Sequence, residues 1–127
     1  MDKNIIDPIR ACVAESLMLD IAEVKPESNL KIDLKADSLD FMDIIFGLEK
    51  TFNISLEKED FNLIALVGLD SAGAVKDNIV SGEVKAKLKQ WMQGLPLDEE
   101  IHVNQLWNYV TVSTMAVIVQ QRVKKAA

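Results

Sequence analysis

From Ile5 to Leu17, and again from Ser38 to Phe52, apolar residues recur three or four apart, the period of a helix that buries one face. No other feature constrains the fold of the 127-residue chain as strongly. Ile5, Ile6, Ile9, Cys12, Val13 and Leu17 predict an amphipathic helix over roughly 4–18. Pro8 either opens it after Asp7 or lies in its first turn, where a missing N–H matters least. Further along, Ser81 reads as the cap of a helix over 83–92, with Val84, Leu88, Trp91 and Met92 on one side. Gly94-Leu95-Pro96 ends it. A short turn is expected over 103–107, and a last helix from Thr111 to about Lys124. The cations Arg122, Lys124 and Lys125 suit the negative end of that helix's dipole. Val112–Val119 is β-branched enough to suit a strand as well. Residues 61–69 read as a short apolar helix or buried turn, disrupted by Gly68, Ser71 and Gly73. With no convincing hairpin, the expectation is an all-α four-helix bundle.

Between the first two helices, Pro26, Ser28 and Asn29 interrupt any period, while Leu30, Ile32 and Leu34 alternate. This predicts a long loop over 19–37, anchored by apolar side chains and of a length that usually carries function. The chain is long enough for one domain, 1–127, around one core. Its longest apolar runs are far short of the ~20 residues of a bilayer span, and Met1-Asp2-Lys3-Asn4 lacks a signal-peptide pattern. The sole cysteine, Cys12, excludes an intramolecular disulfide and fits a reducing cytoplasm. Residues 1–60 hold fourteen Asp/Glu against seven Lys/Arg, residues 61–127 six against seven. An acidic half repels nucleic acid and favours basic protein partners, although solubility alone asks for the same charge.

On a helical wheel, Phe41, Ile44, Ile45, Leu48 and Phe52 share one sector, enough to dock the helix over 38–52. Leu39, Met42 and Phe46 form a second, separate stripe. Ser38 and Glu49 lie between the two, and Asp43 borders the far side of the second. Such a stripe, starting beside a serine and edged with acids, reads equally as a partner-binding surface or as the buried second side of a central helix. Met42 would suit a surface that must adapt to several partners.

Asp37 is a natural N-cap for this helix, and a serine at a helix start is most often just part of a cap. As a nucleophile Ser38 lacks support, since His102 is the only histidine and no Gly-x-Ser-x-Gly elbow surrounds it. A serine modified by another enzyme needs only exposure. No nucleophile–base pair, metal cluster or phosphate-binding glycine loop is present, so no catalytic or metal-binding residues are assigned. Cys12 reads as a small buried hydrophobe. Trp91 and Trp107 read as core anchors or as the lining of an apolar pocket. Lys85, Lys87 and Lys89 read as a solvated surface. Gly47, costing roughly 1 kcal/mol relative to alanine inside a helix, implies a close approach to its face.

Leu34-Lys35-Ala36-Asp37-Ser38-Leu39-Asp40, leading into a helix that ends Leu48-Glu49-Lys50-Thr51-Phe52, resembles the acyl carrier protein family. The loop with Pro26-Glu27-Ser28 and the start of the last helix at Thr111-Val112 are similar too. The resemblance covers roughly 4–58 and 108–124. It implies an acyl-carrier-like four-helix bundle whose second helix opens at Ser38, the attachment site of 4'-phosphopantetheine delivered covalently from coenzyme A. It implies a non-enzymatic, cytoplasmic, monomeric carrier of an acyl thioester. Leu39, Met42 and Phe46, flanked by Asp37, Asp43 and Glu49, would be the face read by its partners. Those partners would be a phosphopantetheinyl transferase and acyl synthases and acyltransferases with basic surfaces, with no nucleic acid and no membrane insertion.

Three departures stand out. Lys35 occupies a position where the family usually has glycine, and Lys50 follows Glu49 where a second acid is common. Residues 59–107 replace the family's short third helix with a longer, apolar-rich segment, expected to add helical pieces before the last helix. Asp37–Phe41 and the altered C-terminal half also resemble the specialised carriers of very-long-chain acyl groups for lipid A. On that resemblance the extra segment enlarges the space for a long acyl chain, or is plain scaffold. An aminoacyl or peptidyl carrier, and an unmodified helical adaptor that binds one partner through helix two, are the alternative functions.

Overall fold

A computed structural model describes residues 3–64, 66 and 75–126. Its helices are α1 (Lys3–Leu17), α2 (Ser38–Phe52), α3 (Gly82–Leu88) and α4 (Val112–Ala126), with 3-10 turns at Ile21–Glu23, Lys58–Phe61 and Val103–Tyr109. A minimal hairpin, β1 (Val75–Lys76) and β2 (Ile79–Val80), precedes α3. The expected break around Gly68, Ser71 and Gly73 lies outside the described residues.

The core follows from the helical period. α1 packs against both α2 and α4, and Ile9 and Val13, Ile44 and Leu48, Met115 and Ile118 are fully buried where they meet. Residues 112–119 are helical rather than extended. Six of them beyond Val112 and Ser113 are buried, so packing on several sides overrides their β-branched preference. Pro8 lies in the second turn of α1, beyond the first-turn position expected for it, and removes one N–H from the helical ladder.

The long loop is held by polar lacing more than by its alternating apolar residues. Leu30 is buried and Leu34 half-buried, but Ile32 is 61% exposed and anchors nothing. Asn29 is the organiser. Its side-chain oxygen accepts from the N–H groups of Lys31 and Ile32 (2.9 and 2.8 Å), and its Nδ2 donates to the Asn108 carbonyl at 2.9 Å. The N–H groups of Leu30, Val112 and Ser113 bond the carbonyls of Val110, Ser28 and Pro26 respectively. The loop is thereby sewn to the start of α4. From α1, Arg10 donates to the carbonyls of Val24 and Ile21.

The segment before α4 differs from a purely helical insert. Asp77 and Asn78 both adopt positive φ (53° and 66°), the requirement of a two-residue type I′ hairpin, and short polar side chains tolerate it best. The hairpin then leans on the following strand-like stretch, with Val80 N–H on the Ile101 carbonyl and Val103 N–H on that of Asn78, both 2.8 Å. α3 stops at Leu88, earlier than Met92, and continues as turns closed by the Trp91 and Met92 N–H groups on the Leu88 carbonyl. Val84, Leu88, Met92, Leu95 and Leu106 join the same core as the three long helices. Lys85 is not part of a solvated face: it is buried, with Nζ donating to the carbonyls of Glu99 (2.6 Å) and Leu97 (3.3 Å).

Candidate functional site

The N-terminus of α2 is fastened by a reciprocal box. Asp37 Oδ1 accepts from the Asp40 N–H at 2.8 Å, and Asp40 Oδ2 accepts from the Asp37 N–H at 3.0 Å. Both carboxylates are spent on their own helix start. Ser38, between them, is exposed, and its hydroxyl takes no hydrogen bond among the described residues. The cap belongs to Asp37, leaving the serine oxygen free. Just before it, Ala36 is buried with its N–H on the Leu30 carbonyl (2.8 Å), which pins the entry to the helix. Lys35 reproduces the turn that glycine would make, at φ 57°.

The two stripes of α2 separate cleanly. Ile44 and Leu48 are buried, with Phe41, Ile45 and Phe52 half-buried against the core. Leu39, Met42 and Phe46 are 76%, 53% and 60% exposed. The alternative of a central helix buried on both sides is therefore excluded. The second stripe starts one residue after Ser38 and runs down the open face.

The acids around that face are not equivalent. Asp43 makes no ion pair or side-chain hydrogen bond among the described residues. Glu49 is half-buried, and its Oε2 accepts from the Leu56 N–H at 2.8 Å, closing the turn after the left-handed cap Asn53. Asp37 is held in the cap. Of the three predicted acids, only Asp43 makes no side-chain hydrogen bond among the described residues.

On the other side of α2, the Phe41 ring meets Trp107 edge-on at 6.0 Å, and Trp107 lies 6.0 Å from Phe61. Trp107, Phe61, Ile64, Val103 and Leu106 line a cavity of about 330 Å³. Phe41 is three residues from Ser38, so these rings connect the helix start to the additional segment. The period of 38–52 placed Phe41 on the docking stripe; its ring partner could not be read from spacing alone. His102 is exposed and forms part of no group of metal-ligating residues among those described.

An exposed serine with a free hydroxyl, whose flanking carboxylates are held in the helix cap, suits a residue that receives a group rather than one that catalyses. The first-turn N–H groups of Ser38 and Leu39 have no partner among the described residues, and a helix start of this kind accommodates a phosphodiester. The phosphopantetheine attachment site family matches residues 7–64, a span that includes most of α1, the loop and α2. An acyl carrier protein of Helicobacter pylori is 40% identical over 74 residues, covering 58% of this chain and 94% of that protein. No solved structure matches the chain. The chain belongs to the acyl carrier protein family, whose members are not enzymes themselves and whose prosthetic group is phosphopantetheine. No described helix is long and apolar enough to cross a membrane.

Proposed function

We propose that Ser38 is the residue that carries phosphopantetheine, and that this chain presents long acyl groups to fatty acid or lipid A biosynthetic enzymes in the cytoplasm. The observation behind this reading is the free, exposed Ser38 hydroxyl at the start of α2, beside an uncovered apolar stripe. When attached, the arm supplies the thiol on which an acyl group rides as a thioester. The chain's own residues hold the rest. The Asp37–Asp40 box fixes the direction of the helix start, and the Ser38 and Leu39 N–H groups would be available to hold the phosphodiester. Leu39, Met42 and Phe46 supply the partner surface, with Asp43 as its available charge and Asp37 and Glu49 at its margins. Contacts of this kind are transient and salt-sensitive, since exposed charge pairs contribute only ~0.2–1 kcal/mol each.

The cavity behind Phe41 supports a long acyl cargo. Apart from Asn62, its walls are apolar rings and aliphatic side chains, some from beyond the family match. Each methylene buried there would contribute ~0.8 kcal/mol.

The attachment is tested by incubating the chain with coenzyme A and a broad-specificity phosphopantetheinyl transferase, then weighing the intact protein. One phosphopantetheine is expected on the wild type and none on Ser38→Ala. A folded, unmodified wild type that gains no mass would reject the reading in favour of an unmodified adaptor. The cargo is tested by loading acyl groups of graded length. Melting temperature should rise with chain length and respond to Trp107→Ala; insensitivity to length would remove the acyl role of the cavity.

A further inference from the structure

Lys35 stands three residues before Ser38, in a conformation that suits a lysine badly. Its φ of 57° lies in the left-handed region, which glycine enters without steric cost and a full side chain does not. The backbone around it is held on both sides. The N–H groups of Asp33 and Leu34 bond the Asn29 carbonyl, and the Ala36 N–H bonds that of Leu30. The side chain does not stabilise the fold in turn. Lys35 is exposed, and its ammonium makes no ion pair or side-chain hydrogen bond among the described residues.

It is unpaired although acids flank it in sequence. Asp33, Asp37 and Asp40 each accept a backbone N–H instead, from Asn29, Asp40 and Asp37 respectively. The other cation of this turn, Lys31, donates to Asn108 Oδ1 at 2.6 Å. Lys35 is the cation of the turn that has no partner among the described residues.

Its position limits what it can meet. Ala36 is buried, whereas Lys35, Asp37 and Ser38 are all exposed. Three residues of chain span at most about 11 Å, a gap that a flexible four-carbon stem largely covers. A phosphodiester on Ser38 Oγ brings a negative charge to a helix start that already holds the carboxylates of Asp37 and Asp40. The helix N–H groups offset part of that repulsion, and a nearby cation offsets more.

We propose that Lys35 is a binding residue for the prosthetic group, its ammonium pairing with the phosphodiester and holding the root of the arm against the turn before α2. This rests on the reading of Ser38 as the attachment site. A glycine at position 35 would make the same turn but leave the phosphodiester without this cation.

The chain is prepared with and without the arm, confirmed by intact mass, and the arm's thiol is capped with iodoacetamide. Both forms are treated with a limiting amount of an acetylating ester, and each lysine is followed by peptide mass. Only the free amine reacts, so an ammonium held by an anion is acetylated more slowly. The arm should slow Lys35 roughly two- to fivefold at low salt, the range an exposed charge pair allows, and leave Lys50 and Lys87 unchanged. The protection should vanish in about 1 M sodium chloride, where the Debye length is ~3 Å. The phosphorus NMR signal of the arm should move on Lys35→Gln and return towards its original place with Lys35→Arg. If the arm attaches and Lys35 reacts at an unchanged rate, the pairing is overturned and the carrier reading stands. Protection that persists in high salt overturns it equally, since the arm would then only cover the lysine. A folded chain that accepts no arm removes both readings.

Discussion

The Sγ of Cys12 lies 2.5 Å from the point where a Cβ on residue 47 would stand, so α1 and α2 are in contact there only because position 47 is glycine. The thiol also points to the Ile44 carbonyl, at 3.5 Å. Gly47→Ala must displace this side chain. Overpacking costs of ~1–3 kcal/mol exceed the ~1 kcal/mol that alanine regains in helix propensity, so a net loss of about 1 kcal/mol is expected. In a Cys12→Ala background the obstacle is gone, and the same substitution should stabilise by about 0.5–1 kcal/mol. A double-mutant cycle by urea unfolding measures this, and an equal cost in both backgrounds would refute the contact as the cause.

The Cys12 thiol is pushed up to about 11, first by burial and then by the nearby charges of Glu15 and Asp43. Its alkylation rate should therefore keep rising with pH to about 11 instead of levelling near 9. The same shift sets a direction for stability. The unfolded chain releases the thiol proton first, so folding is favoured below pH 9 and loses that advantage as pH climbs through 11. Because the thiol is only half-buried, solvent screening leaves an effect on the order of 1 kcal/mol. Comparing wild type with Cys12→Ala across pH 8–11 isolates it, and parallel stability profiles would count against it.

Lys35 holds φ 57° with a full side chain, a conformation that costs a non-glycine residue about 1 kcal/mol. Lys35→Gly should relieve this and, after the added freedom of the unfolded chain, still stabilise by a few tenths of a kcal/mol. Lys35→Val should destabilise by more than 1 kcal/mol, since a β-branched side chain fits that region worst. Thermal melts of the two variants would separate them, and a stabilising valine would contradict the strained turn.

Lys85 ties the 97–99 stretch to α3 through two carbonyls. Replacing it with methionine keeps the stem and removes the donor, with an expected cost of about 1–3 kcal/mol. Hydrogen exchange should quicken in the 97–101 stretch before it does in α2. A more stable Lys85→Met protein would mean that burying the ammonium costs more than its two bonds return.

Much of this fold was legible because it rests on a period. The bounds of α2, the cap at Asp37 and the division of its apolar residues into two stripes follow from 3.6-residue spacing and capping chemistry. Gly47 announced a close approach, though spacing could not name Cys12 as its partner. The hairpin was hidden because two-residue strands carry no period, and its one local signal was the Asp77-Asn78 pair. Lys85 misled because a lysine on a short helix is ordinarily solvated, and the carbonyls that bury it come from twelve and fourteen residues away. Glu49 reads from spacing as a face acid, and spacing could not show that its Oε2 also takes the Leu56 N–H, seven residues on.

The sewing of Asn29 to Asn108 joins residues 79 apart, and the whole of the additional segment, 59–107, lies inside the ring it closes. Closing a ring costs entropy that grows only with the logarithm of its length, so a ring half as long would close more easily by just about 0.6 kcal/mol. Lengthening a carrier at this point is thus nearly free in chain entropy, provided the new residues pack. Val84, Leu88 and Met92, fully buried, meet that condition. The knot at the foot of α4 makes this stretch of the family's architecture open to growth, while the Ser38 end stays unchanged.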